Sequence, residues 1–99
     1  MPAASRKGDS LSTGHGCTGV TTLATPGQGT VFINGILAAR VGDSTVSHTI
    51  APPLCPSHVA AVNAGSGSVF IVGPAAARVG DSTDAGAMIS GSSNVFIGG

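Results

Sequence analysis

The residues of this 99-residue sequence that could hold a metal ion are bunched. All three histidines and both cysteines lie between residues 15 and 58. Neutral imidazole and thiolate are donors that Zn²⁺ accepts in tetrahedral sites, and Cys55-Pro56-Ser57-His58 has the two-residue gap of neighbouring ligands that grip one ion. His15 and His48 would complete a set of three histidines and one cysteine. Four protein donors leave no position for water, so such a site is structural rather than catalytic. Cys17, two residues after His15, could replace one of the four or be a free buried thiol. The two cysteines could also form one disulfide, although in a reducing compartment thiols are more often free or metal-bound.

Two further matches point to enzymes and fail on their context. Gly8-Asp9-Ser10-Leu11 spells the nucleophile block of the GDSL esterases, whose serine needs a base from a downstream Asp-x-x-His, and no Asp-x-x-His occurs. Gly-Asp-Ser also occurs three times, which suits a turn that the fold needs three times better than one nucleophile. Gly14-His15-Gly16-Cys17-Thr18-Gly19 fits the dinucleotide fingerprint Gly-x-Gly-x-x-Gly. It has neither an apolar strand before it nor a helical pattern after it, and no acidic residue about 20 positions on.

The elements that must position the ligands are repeats. Arg6-Lys7-Gly8-Asp9-Ser10, Arg40-Val41-Gly42-Asp43-Ser44 and Arg78-Val79-Gly80-Asp81-Ser82 align, each after an alanine-rich stretch. Gly29-Thr30-Val31-Phe32-Ile33, Gly67-Ser68-Val69-Phe70-Ile71 and Ser93-Asn94-Val95-Phe96-Ile97 form a second threefold set that contains every phenylalanine. Thr30 to Ile33, the turn Asn34-Gly35 and Ile36 to Val41 read as a β-hairpin, as do Val69 to Val72, Gly73-Pro74 and Ala75 to Val79. The third copy is split, its outgoing strand at Asn94 to Ile97 and its returning strand at Pro2 to Lys7. If those two segments meet, three hairpins close a pseudo-threefold ring. Residues 10–29, 44–67 and 82–93 read as loops. The fold class is therefore mainly β, small, with long loops and a structural metal site. One domain over 1–99 is expected, with repeats at about 2–35, 36–73 and 74–99 and no residues to spare for an effector extension.

Composition agrees with that economy. Gly, Ala and Ser supply 42 of the 99 residues against three Phe and no Trp or Tyr. So thin a core leaves the folding balance near zero, and a staple is expected. Four basic and four acidic residues give no net charge, which excludes the clustered Lys/Arg of a nucleic-acid binder. No apolar run approaches a membrane span, and the N-terminus lacks the apolar core of a secretory signal, so synthesis and folding in the cytosol are expected. In a chain this poor in charge, Arg6 and Asp9, Arg40 and Asp43, and Arg78 and Asp81 are expected to be structural, either paired across their turns or with Asp capping backbone N–H groups while Arg bridges to a neighbouring repeat, a docking contact for a partner being the functional alternative.

Pro74-Ala75-Ala76-Ala77-Arg78-Val79-Gly80-Asp81, its copies at 2–9 and 36–43, and the Gly-x-Val-Phe-Ile strands closely resemble the PAAR-repeat proteins, the spike-tip family of contractile injection systems. The likeness covers nearly the whole chain. It implies a small cone that caps and sharpens a trimeric β-helical spike, of the valine-glycine-repeat or phage central spike type, with one tip per trimer. It also implies no enzyme activity, transient contact with the target membrane, and effector proteins as further partners. Location would be the bacterial cytoplasm at assembly and then delivery with the spike, or the virion tail tip of a phage. Carried over, the metal ligands are His15, His48, Cys55 and His58 with Cys17 surplus, and the ion is zinc, with iron as second choice. A free-standing zinc-binding adaptor for another partner is the alternative, and a GDSL-type hydrolase a remoter one.

Overall fold

The computed structural model describes residues 1–98, and no helix occurs among them. Its strands are β1 (Ser10–Ser12), β2 (Val20–Thr22), β3 (Phe32–Ile33), β4 (Ile36–Leu37), β5 (His48–Thr49), β6 (Ser57–His58), β7 (Ser82–Thr83) and β8 (Gly86–Ala87). They pair as four separate antiparallel hairpins, β1 with β2, β3 with β4, β5 with β6 and β7 with β8. The first hairpin of the sequence reading is present: Phe32 faces Leu37 and Ile33 faces Ile36. Its turn residues, Asn34 and Gly35, have φ of 56° and 76°, as a type I′ turn requires. The other two copies shrink to single bridges, Phe70 with Ala75 and Ala3 with Phe96. Six of the eight strands lie instead in segments read as loops, because two or three Ser/Thr-rich residues show no periodicity.

The pseudo-threefold ring closes through the backbone. Ser5 N donates to Ala77 O, Ala77 N to Ala39 O and Ala39 N to Ser5 O, each at 3.0 Å. Around that triangle each repeat's arginine bridges the alanine two residues before the next arginine: Arg6 with Ala38, Arg40 with Ala76, Arg78 with Ala4. The two ends of the chain take part, since Ala4 N donates to Val95 O at 3.0 Å and Ile97 N to Pro2 O at 2.9 Å.

The same symmetry explains the Arg-x-Gly-Asp motif. Asp9, Asp43 and Asp81 donate their backbone N–H groups to the carbonyls of Arg6, Arg40 and Arg78, closing three four-residue turns. The third residue, Gly8, Gly42 or Gly80, has φ of 83°, 93° or 91°, the left-handed value that a type II turn demands and that glycine alone adopts freely. Each aspartate then accepts from its arginine's backbone N at 2.7 to 2.8 Å and pairs with the guanidinium. The arginines reach onward to the neighbouring hairpin, Arg6 to Asn34 Oδ1, Arg40 to Val72 O and Arg78 to Gly98 O. Asp9 and Asp81, as hydrogen-bonded partners, hold the Arg6 and Arg78 guanidinium groups above their ordinary pKa despite some burial.

Two small cores result. Ala4, Ala38 and Ala76 with Ile33, Ile71 and Ile97 form one. Leu11, Leu23, Val62 and Met88 with Ala39 and Ala77 form the other, beyond the ring. Strand alternation turns each Ile inward and the preceding Phe outward. Phe32, Phe70 and Phe96 are accordingly 55%, 60% and 51% exposed, three equivalent apolar side chains around one end.

Candidate metal centre

At the other end three excursions of the chain converge. His15 sits in the loop between β1 and β2, His48 and His58 face each other across the β5–β6 register, and Asp84 holds the first position of the β7–β8 turn with φ of 57°. Two backbone hydrogen bonds and one from a side chain fix the approach: Asp84 N donates to Ala61 O at 3.2 Å, Ala85 N to Thr13 O at 3.1 Å and Asn63 Nδ2 to Asp84 O at 2.9 Å. Gly14, at φ +76°, lies so close to the third excursion that a Cβ there would stand 2.6 Å from the Ala85 carbonyl oxygen.

One ligand atom from each of His15, His48, His58 and Asp84 falls within 4.8 Å of the others. His15 Nε2 is 2.9 Å from Asp84 Oδ1, His48 Nε2 is 2.7 Å from Asp84 Oδ2, and His58 Nε2 is 3.2 Å from the same oxygen and 2.8 Å from His48 Nε2. His48 is buried and Asp84 half-buried with its carboxylate turned inward, while His15 and His58 keep part of their rings in solvent.

The tautomer of His48 decides what this arrangement needs. Its Nδ1 lies 2.8 Å from the Val46 carbonyl oxygen, which can only accept, so Nδ1 carries the proton. In the neutral ring Nε2 then presents a lone pair, and it faces a carboxylate oxygen and a second imidazole nitrogen. Lone pairs that converge in a buried space repel unless a cation lies among them. Three imidazole nitrogens and one carboxylate oxygen are donors that zinc accepts, and the His48 contact to a backbone carbonyl is the outer support that orients a ligating imidazole. Burial by itself pushes the Asp84 carboxyl up. The His48, His15 and His58 rings set against it, which donate to it wherever a ring is protonated, outweigh burial and hold the carboxyl below its ordinary value, so this oxygen donor is ionised at neutral pH.

The structure thus gathers His15, His48 and His58 and leaves Cys55 out. Cys55 Sγ is bonded to Cys17 Sγ, and a disulfide sulfur has no thiolate to offer; the fourth ligand-type atom that lies with the three imidazoles is an Asp84 carboxylate oxygen. The sequence carried one signal for it: with the six repeated Arg and Asp set aside, Lys7 and Asp84 are the remaining charged residues. Ser10, the apparent esterase nucleophile, lies in β1 with its N–H on Ser90 Oγ at 2.8 Å, while the histidines turn to Asp84.

A model of the PAAR motif family matches residues 7–90. The chain belongs to that family. Its members are structural proteins of type VI secretion and phage spikes, and PAAR proteins associate with spike proteins. No curated relative matches the chain.

Proposed function

We propose that this PAAR protein is the tip of a contractile injection system, capping a trimeric β-helical spike with one chain per trimer and sharpening it for membrane puncture. The observation that carries the reading is the exposed triad Phe32, Phe70 and Phe96, presented by a ring whose three backbone bonds are equivalent. An internally threefold monomer offers a threefold trimer three matching contacts at once, and exposed aromatic side chains are typical anchors at the centre of an interface. Residues 1–99 act as one domain of three repeats. The role is mechanical, in a type VI secretion spike or a phage tail, and the metal is one structural zinc held by His15, His48, His58 and Asp84. When bound, it ties all three excursions at the apex. Four donors leave zinc no open position for catalysis.

Mixing the chain with candidate spike trimers and weighing the products by native mass spectrometry tests this. One chain per three spike chains is expected, and Phe70→Asp should abolish the complex without changing metal content. A 3:3 complex, or no complex with any spike, overturns it.

A further inference from the structure

His15 reaches the centre from a different excursion than His48 and His58, and its loop is tied on both sides. Toward the third repeat, Thr13 O accepts from Ala85 N and Gly14 packs on Ala85. Toward the second repeat, Cys17 N donates to Ile50 O at 3.1 Å, Thr18 N to Thr49 O at 3.2 Å, and the Thr18 and Thr49 hydroxyls bond at 2.6 Å. The disulfide lies on this second side. Cys17 is two residues from His15, Cys55 three from His58, and the bond joins them with Cα atoms 5.9 Å apart across a sequence separation of 38.

We propose that the Cys17–Cys55 pair is a redox-sensitive clamp on the metal centre, the closed disulfide raising its affinity for a divalent metal ion and the opened pair lowering it. The inference rests on the reading of His15, His48, His58 and Asp84 as that centre. An ion must gather donors from separate segments, and whatever freedom those segments keep has to be given up on binding. The disulfide removes that freedom beforehand, on the side of His15 that hydrogen bonds alone would otherwise hold. Opening it takes two electrons and two protons from a small-thiol pool: the S–S bond breaks, each Sγ gains a hydrogen, and two reductant thiols join as a disulfide. Linkage makes the effect reciprocal, so the bound ion resists reduction of the pair by the factor by which the disulfide tightens the ion.

Zinc affinity, measured against a competing chromophoric chelator, separates the possibilities in three preparations: the oxidised chain, the chain reduced with a phosphine, and the double variant Cys17→Ser/Cys55→Ser. The oxidised chain is expected to hold zinc about tenfold more tightly than either of the others, within the usual range for coupled sites. Equal affinity in all three overturns the clamp and leaves the metal centre standing. Tighter binding by the reduced chain than by the other two also overturns it and assigns the Cys55 thiolate as a ligand. Zinc binding by none of them removes the centre and the clamp together. Should the double variant fail to fold, the phosphine-reduced chain decides.

Discussion

The two ends of this molecule follow different rules. At the aromatic end the three repeats are equivalent: the same turn, the same arginine–aspartate pair and the same inward isoleucine recur in each. At the histidine end nothing repeats. The first excursion supplies one imidazole, the second two, and the third a carboxylate. Equivalent surfaces suit a threefold partner, whereas a closed set of four protein donors cannot be shared equally among three excursions, so one of them must supply two. Gene-level repetition can build the first end. Only divergence of the copies can build the second.

The largest test of the contrast is removal of the ion. A ligand present at about a thousand times its dissociation constant adds about 4 kcal/mol, and a domain of this size shifts by about 4 to 8 °C per kcal/mol. Chelation is thus expected to lower the thermal midpoint by about 15 to 30 °C in scanning calorimetry, with one zinc per chain by elemental analysis beforehand. Amide exchange sharpens the point: Thr49, Ile50 and Ala85 should lose protection well before Ser5, Ala39 and Ala77. Equal loss at both ends would erase the distinction drawn here.

A middle-sized effect is expected from Asp43→Ala. The substitution strips the partner from the Arg40 guanidinium and leaves two backbone donors, Arg40 N and Gly27 N, without their acceptor. About 2 to 4 kcal/mol of stability should be lost, read by urea unfolding. Zinc stoichiometry should stay at one. Asp9→Ala and Asp81→Ala should fall within about 1 kcal/mol of it if the aromatic end is as symmetric as its geometry.

The smallest effect has the opposite sign. Ser5 takes the place that alanine fills at 39 and 77, and its hydroxyl is fully buried with no hydrogen-bond partner among the described residues. Ser5→Ala should stabilise the chain by about 1 kcal/mol, raising the midpoint by a few degrees. A drop of that size would mean that the hydroxyl is satisfied.

Much of the fold could be read in the sequence because the aromatic end is governed by local chemistry repeated three times. Asn34-Gly35 dictates its own turn, Gly42 must follow Val41 in a left-handed step, and Val-Phe-Ile alternates by the geometry of a strand. The histidine end was legible only in part. Ser57 and His58 pair with Thr49 and His48 over two residues, too short for any period to register. Cys55 and His58 have the spacing of a ligand pair, and that local pattern is overridden by a partner 38 residues away. Asp84 stands alone in a loop with no other donor, so its contribution exists only once three excursions have converged.

The ring of Ser5, Ala39 and Ala77 has a consequence for how the protein is made. Each of its three bonds joins a different pair of repeats, and the neighbouring bridge from Ala3 to Phe96 joins the two ends of the chain. No subset of repeats contains a closed ring, and few of its contacts are local. Such a topology cannot be completed from one or two repeats: the ring closes only once Ala77 can reach Ser5 and Ala39, and Ile97 joins Ala4, Ile33 and Ile71 later still, so the earlier apolar segments wait for their partners.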